Sequence, residues 1–169
     1  MSILNFESSK IAVIGLGYVG LPLALEFGKK WETVGFDINE NRIKDLRNKV
    51  DITNETSIDD MNLASFLSYS HDSKDIKLCN VYVVCVPTPI DNSNQPELKA
   101  IKSSTRLISK LLKKGDLVIY ESTVYPGLTE EICVPMLESS GMKLNKDFYC
   151  GYSPERINPG DKSHRLPDI

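Results

Sequence analysis

Short apolar runs alternate with stretches of helical periodicity along the whole chain. Runs rich in Val, Ile, Leu and Tyr that end at glycine, proline or aspartate are typical of strands. The predicted strands are Lys10 to Gly15, Thr33 to Phe36, Leu67 to Ser70, Val81 to Val86, Leu117 to Tyr120 and Phe148 to Tyr152. Because the first of these runs is apolar throughout, we expect it to be covered on both faces, as in a parallel sheet.

Amphipathic stretches lie between these runs and predict helices. The predicted helices span Tyr18 to Lys30, Asn39 to Lys49, Leu98 to Gly115 and Gly127 to Ser140. The side chains expected to face inward are Val19, Leu23, Ala24 and Phe27 along the first helix and Ile43, Leu46 and Val50 along the second. Ser57 and Asp60 are spaced as a capping box for a further short helix, and Pro135 predicts a kink in the last one. The alternation predicts an α/β fold with a doubly wound, mostly parallel sheet and helices on both faces.

The composition narrows the class of protein. The 169 residues include 20 Lys and Arg and 23 Asp and Glu, which gives a formal net charge of -3. Without a basic stripe the chain is not expected to bind nucleic acid, and its apolar runs are too short to cross a bilayer. The polar start is unlike a signal peptide, so we expect a cytoplasmic protein with no membrane partner. Residues 1–169 are predicted to form one domain.

The cysteines and histidines do not predict a metal site. No CxxC pair is present, and no histidine lies at metal-ligand spacing from a cysteine. The cysteines are expected to be buried as small hydrophobic side chains: Cys79, Cys85, Cys133 and Cys150. His71 and His164 are expected at the surface.

The clearest motif is a Gly-x-Gly-x-x-Gly run between the first predicted strand and the first predicted helix. Gly15 is expected to make a tight turn, Gly17 to let a pyrophosphate approach the backbone, and Gly20 to pack the helix against the strand. The free amide groups at the helix start would then face the anion. In this context the motif predicts a dinucleotide-binding Rossmann fold, whereas the glycines alone would indicate only a turn.

Asp37 follows the second predicted strand, 22 positions after Gly15. A carboxylate at this place can accept hydrogen bonds from both ribose hydroxyls of an adenosine, and it repels a 2'-phosphate. We therefore expect NAD rather than NADP as the cofactor. Arg42 lies one helical turn further on, where it either lies over the adenine or pairs with solvent.

Three proline-bearing loops follow predicted strands at the carboxyl edge of the sheet, where ligands bind in parallel α/β folds. The loops are Val86 to Pro89, Glu121 to Gly127 and Ser153 to Gly160. Each loop alone is explained by rigid turns, but together they indicate a functional edge beside the dinucleotide site. Thr88, Thr123 and Glu155 offer two hydroxyl groups and a carboxylate that can order a water molecule or move a proton.

Five segments carry a resemblance to a known family. They are KIAVIGLGYVGLPLA at Lys10 to Ala24, VGFDIN at Val34 to Asn39, VPTP at Val86 to Pro89, YESTVYPGLTEE at Tyr120 to Glu131 and GYSPERINPGDKSHRL at Gly151 to Leu166. In this order they resemble the UDP-glucose/GDP-mannose dehydrogenases, the nucleotide-sugar 6-dehydrogenases. The last segment is most similar to the branch of the Vi-antigen type, which oxidises UDP-N-acetylhexosamines for surface polysaccharides.

The resemblance implies a role for each matching residue. The family's enzymes oxidise the C6 alcohol of a nucleotide sugar to a carboxylate in two hydride transfers to NAD. The implied cofactor-binding residues are Gly15, Gly17, Tyr18, Val19, Gly20, Asp37, Arg42, Val86, Pro87, Thr88, Pro89, Ser122 and Thr123. Glu155 would be the catalytic acid and base, with Thr123 placing a water molecule. The implied residues for the UDP-sugar substrate, an N-acetylglucosamine or N-acetylgalactosamine compound, are Glu155, Arg156, Ile157, Asn158 and Gly160.

The length of the chain leaves alternatives open. Family members continue through a linker helix into a second α/β domain, beside a catalytic cysteine in a glycine-rich loop, and no cysteine here lies in such a loop. We therefore expect the N-terminal part of an oxidoreductase that is a homo-oligomer at full length, and no activity from this part alone. The alternatives are a free-standing NAD-binding regulatory domain, a UDP-glucose or UDP-N-acetylmannosamine dehydrogenase, another hydroxy-substrate dehydrogenase, and a methyltransferase.

Overall fold

The computed structural model describes residues 8–89 and 96–154, which form a six-stranded sheet with helices on both faces. Its strands are β1 Ile11–Ile14, β2 Thr33–Phe36, β3 Leu67–Ser70, β4 Val81–Val84, β5 Leu117–Tyr120 and β6 Tyr149–Tyr152. All neighbouring strands are parallel, in the order β3-β2-β1-β4-β5-β6. The order reverses between β1 and β4, which confirms the predicted doubly wound sheet.

Helices connect most of these strands. They are α1 Gly20–Gly28, α2 Glu40–Arg47, α3 Ile58–Leu63, α4 Lys99–Ser109 and α5 Val134–Glu138, with a π-helical turn at Thr129–Cys133 directly before α5. The irregularity expected at Pro135 therefore lies just before it, where the Val134 N–H donates to the Thr129 carbonyl. Proline is accepted near a helix start because it has no N–H to donate. None of the helices in the described ranges is long and apolar enough to span a bilayer.

Side-chain caps fix the starts of two helices. Asn39 Oδ1 accepts the N–H groups of Asn41 and Arg42 at the start of α2. Ser57 and Asp60 form the predicted capping box of α3, with N–H to side-chain oxygen distances of 3.0 and 3.1 Å. Since α3 has no fully buried residue, this cap of about 1 kcal/mol is a main stabilising feature of its first turn.

The sheet separates two hydrophobic cores. One face carries Ala12 and Ile14 of β1 with Ile101 and Ile108 of α4, and the other carries Ile11 and Val13 of β1 with Leu21 and Leu25 of α1. All residues of β1 and β4 are buried. The expectation that the first strand is covered on both faces is therefore confirmed.

Two predicted inward faces differ from the structure in part. The buried residues of α1 are Gly20, Leu21, Ala24, Leu25 and Gly28, whereas Val19, Leu23 and Phe27 pack against the same core but stay half-buried. The two glycines explain this choice, because the helix side without side chains can approach its neighbours most closely. The prediction for Val50 is wrong: the residue is 50% exposed, since α2 ends at Arg47 and the chain turns at Lys49, where φ is +60°.

The cysteines serve as core side chains. Cys79, Cys85 and Cys133 are buried as predicted, and Cys150 is half-buried. Burial raises the pKa of the Cys79 thiol to about 11 and that of the Cys150 thiol to about 12, and it also raises the pKa of Cys133. These three thiols are therefore protonated, and poor nucleophiles, at neutral pH.

The contact between α1 and β3 gives a stability prediction. A Cβ at Gly28 would lie 2.6 Å from the Leu67 Cβ, whereas a Cβ at Gly151 has no neighbouring atom within 4 Å. Gly28→Ala is expected to destabilise the fold by about 1–3 kcal/mol through overpacking. Urea unfolding followed by circular dichroism checks this, with Gly151→Ala as the control. Equal midpoints for the two variants would show that α1 does not depend on this close approach.

Candidate cofactor-binding site

Gly15 turns the chain sharply at the end of β1. Its φ is +93°, a left-handed conformation that favours glycine, and a Cβ there would lie 2.9 Å from the Cys85 carbonyl oxygen. The Gly15 N–H donates to the Phe36 carbonyl at 2.9 Å, which continues the β1–β2 ladder into the loop. The loop therefore starts at a fixed place between the carboxyl ends of β2 and β4.

Gly20 and Gly17 differ in their surroundings: Gly20 is closely packed, whereas Gly17 faces open space. A Cβ at Gly20 would lie 1.8 Å from the Gly15 carbonyl oxygen, so the first residue of α1 packs directly on the turn. Gly17 is exposed, and a Cβ there would meet nothing within 4 Å. Val19 precedes α1 without a side-chain cap, and the first turn of α1 has no acidic residue. The Leu21 and Leu23 N–H groups donate to the Gly17 and Val19 carbonyls, so an anion at this helix end would bind the loop before α1, where no acidic side chain of the first turn opposes it.

Asp37 joins the glycine-rich loop to the end of β2. Its Oδ2 accepts the Leu16 N–H and its Oδ1 accepts the Asn39 N–H, both at 2.9 Å. A carboxylate has about four acceptor positions, so two backbone donors leave capacity for the hydroxyls of a ribose. The carboxylate that was predicted to bind the adenosine is thus held beside the predicted pyrophosphate loop, and the residues fit a dinucleotide.

Arg42 does not pair with solvent, because only 6% of its side chain is exposed. Its implied role beside the adenosine stays a prediction. Its Nε donates to the Leu16 carbonyl at 2.9 Å and its Nη2 to Asp51 Oδ1 at 2.8 Å. The burial of the side chain has a physical cause: a buried anion lies within reach and the backbone carbonyl needs a donor.

Asp51 is the residue of this region that sequence analysis missed. Its side chain is 2% exposed. Besides Arg42 it accepts the backbone and hydroxyl groups of Thr53 and Thr56 and the N–H of Glu55. Burial alone would raise the pKa of Asp51, but the hydrogen bonds from Thr53, Arg42 and Thr56 hold it below its ordinary value. The group is therefore an anion at neutral pH. A signal was present, because Asp followed by Thr at two and five positions is typical of side-chain to backbone turns.

The loops after β4 and β5 are tied to each other. Ser122 Oγ donates to the Val86 carbonyl at 2.7 Å, and Thr88 Oγ1 donates in the reverse direction to the Thr123 carbonyl. Val86 Cγ1 also lies 3.2 Å from the place a Gly15 Cβ would take. The structure thus brings the predicted residues of both loops to the same edge as the glycine-rich loop. Ser122 is buried with its hydroxyl engaged, whereas Thr123 and Pro87 are exposed.

Some predicted site residues lie outside the described residues. They are Glu155, Arg156, Ile157, Asn158 and Gly160, together with His164, and their roles stay predictions. The chain approaches them along β6, beyond which the Ser153 N–H donates to the Tyr120 carbonyl at 3.0 Å. His71 is exposed, as expected. Within residues 8–89 and 96–154, no group of three or more His, Cys, Asp or Glu side chains is placed to hold a metal ion.

The two glycines of the loop give a paired prediction. Gly20→Ala is expected to destabilise the fold by about 3 kcal/mol or more, because the methyl group overlaps the Gly15 carbonyl. Gly17→Ala is expected to change stability by less than about 0.5 kcal/mol and yet to weaken NAD binding, because its methyl group occupies the open space above the loop. Urea unfolding and titration calorimetry with NAD check both variants. Unchanged NAD affinity in Gly17→Ala would contradict a pyrophosphate site at this loop.

Comparison with known proteins agrees with this geometry. Residues 9–167 match the UDP-glucose/GDP-mannose dehydrogenase family, NAD binding domain. The chain is 58% identical over 161 residues to a UDP-N-acetyl-D-glucosamine 6-dehydrogenase of Pseudomonas aeruginosa, covering 95% of this chain and 38% of that protein. It is 53% identical over 166 residues to the enzyme of the same name from Salmonella typhi, covering 98% of this chain and 39% of that protein.

A solved structure shows the same architecture. The GDP-mannose dehydrogenase of Pseudomonas aeruginosa, in a ternary complex, superposes with a TM-score of 0.86 at 26% identity, over 94% of this chain and 38% of that one. The chain thus spans about two-fifths of the length of the relatives it matches. With the sheet order, the glycine-rich loop and the sequence match in agreement, this chain belongs to the UDP-glucose/GDP-mannose dehydrogenase family and forms that family's NAD-binding domain.

Proposed function

We propose that this chain is the NAD-binding part of a UDP-N-acetyl-D-glucosamine 6-dehydrogenase. The proposed reaction is the oxidation of the sugar C6 alcohol to a carboxylate, in which water supplies the second oxygen, two NAD molecules each accept one hydride and three protons are released. The hydrogen bond from the Leu16 N–H to Asp37 carries the proposal, because it fixes a carboxylate for the ribose beside a loop open to the pyrophosphate. The substrate is inferred from the names of the two relatives with more than half of their aligned residues identical.

The cofactor is proposed to lie across the carboxyl ends of β1, β2 and β4. Asp37 would accept the hydroxyls of the adenosine ribose, and the amide groups near Gly17 would bind the pyrophosphate. The nicotinamide end would lie toward the linked loops at Val86 to Pro89 and at Thr123. When bound there, NAD supplies the hydride acceptor. An unpaired 2'-phosphate would meet the Asp37 carboxylate, which favours NAD over NADP.

The remaining chemistry is proposed for residues at the ends of β5 and β6. Thr123 is exposed, and its backbone carbonyl accepts a hydrogen bond from the Thr88 hydroxyl. With its backbone held in this way, the Thr123 hydroxyl can order a water molecule at a fixed place. Glu155 is proposed to move protons as acid and base, and residues 155–160 to contact the UDP-sugar. The assembled enzyme is proposed to be a cytoplasmic homo-oligomer.

The covalent step is proposed to need a cysteine that this chain does not supply. A thiolate traps an aldehyde so that a second hydride can leave. Cys79, Cys133 and Cys150 have pKa values raised by burial, and Cys85 is buried against the glycine-rich loop. None of the four fits the role of an accessible nucleophile.

Removing the Asp37 carboxylate tests the adenosine site. Charge-assisted hydrogen bonds contribute about 1.5–3 kcal/mol each, so Asp37→Ala is expected to weaken NAD binding by roughly 10- to 150-fold. Titration calorimetry measures the affinity, and a thermal melt confirms that the variant is folded. Asp59→Ala, which removes an exposed carboxylate from α3, is expected to bind NAD like the wild type. A folded Asp37→Ala with wild-type affinity would remove Asp37 from the site.

Turnover by the chain alone tests the missing nucleophile. The 169-residue chain is expected to bind NAD saturably and to form no NADH with UDP-N-acetylglucosamine or UDP-N-acetylgalactosamine. The absorbance of NADH over hours at high protein concentration is the measurement. Steady NADH formation would show that one of the four cysteines, or another route, completes the reaction.

A further inference from the structure

A buried cation lies one helical turn beyond the carboxylate proposed to select NAD. Arg42 belongs to α2, whose start is tied to Asp37 through the Asn39 N–H. Its Nε bonds to the carbonyl of Leu16, the residue whose N–H bonds to Asp37. The guanidinium and the Asp37 carboxylate therefore hold opposite sides of one residue. A cation this close to the ribose carboxylate is the kind of group by which related folds accommodate the 2'-phosphate of NADP.

Asp51 holds that cation away from the surface. Each of its two carboxylate oxygens accepts three hydrogen bonds, one of them from Arg42 Nη2 at 2.8 Å. The two side chains are 6% and 2% exposed, so the charge of the guanidinium is matched inside the protein. Its Nη1 is nevertheless buried with no hydrogen-bond partner among the described residues. The guanidinium thus keeps one donor unpaired inside the protein, and Asp51 is the anion that matches its charge there.

We propose that Asp51 is a specificity-determining residue, which excludes NADP by keeping Arg42 paired beneath the glycine-rich loop. Selection against the 2'-phosphate then has two parts. Asp37 repels it, and Asp51 withholds the neighbouring cation that would offset that repulsion. This inference rests on the proposed NAD site at Asp37.

Replacing the carboxylate by an amide removes the counter-charge of the guanidinium. Asp51→Asn also turns an NH2 group toward the donors of Thr53 or Thr56, so the buried arrangement loses its anchor. An unpaired buried charge is strongly unfavourable, and Arg42 already has an unsatisfied Nη1. The side chain is therefore expected to move toward solvent, on the side of the loop where the ribose phosphate of NADP would bind.

The experiment measures the dissociation constants of NAD and NADP by titration calorimetry for the wild type and the variants. In Asp51→Asn the ratio of the NADP constant to the NAD constant is expected to fall by about tenfold or more, which is the effect of one charge-assisted contact. Asp51→Asn combined with Arg42→Gln is expected to return the ratio to the wild-type value. Asp51→Glu, which keeps the counter-charge, is expected to retain it.

A merely structural role for Asp51 predicts a different result. Loss of the turn at residues 51–56 would weaken both nucleotides together and leave their ratio unchanged, which overturns the proposal. Asp59→Asn makes the same change of charge on the exposed side of α3 and is expected to leave the ratio unchanged. If Asp51→Asn shows no cooperative thermal transition, Asp51→Ser, which leaves room for water at the donors, takes its place. Failure of the wild type to bind NAD would contradict the proposed function, independently of the ratio in the variants.

Discussion

The packing of the Gly15 carbonyl against the bare Cα of Gly20 is the contact on which the rest of the structure depends. The Gly15 carbonyl oxygen lies 1.8 Å from the position that a Cβ at residue 20 would take, so only glycine fits there. This approach sets the place at which α1 leaves the loop that contains Leu16. Asp37 accepts the backbone N–H of Leu16, and Arg42 donates to its carbonyl. Because Gly15 and Gly20 have no side chains, the end of β1, the start of α1 and the Asp37 carboxylate can lie close together.

The strands were predictable because their burial follows from the local sequence. β2, β3 and β5 have the predicted bounds, because short apolar runs between turn residues have few alternatives in an α/β protein. The inward face of α1 was not predictable in this way. Leu23 and Phe27 are as apolar as Leu21 and Leu25 and also pack against the core, but the fully buried side is the one where Gly20 and Gly28 allow close approach. Val50 was misplaced because the end of α2 depends on a left-handed residue, Lys49.

The site shows the same division. The positions of the glycine-rich loop and of Asp37 beside it were predictable, because they depend on backbone geometry at fixed spacing. The burial of Arg42 and the role of Asp51 depend on a contact between a helix and the polar stretch that follows it. The pattern of apolar and polar residues in this polar stretch predicts only a turn. Charged residues that bind each other in the interior are therefore the part of a site that sequence pattern describes least well.

The crossed hydrogen bonds between the loops after β4 and β5 bear on how this edge of the sheet can change in evolution. Ser122 bonds to the backbone of one loop, and Thr88 of that loop bonds back. An inserted or deleted residue between either strand and its hydroxyl would break both bonds together. A change of length in one of these segments is therefore expected to require a matching change in the other, and variation is expected in exposed side chains such as Thr123 and Pro87 rather than in loop size.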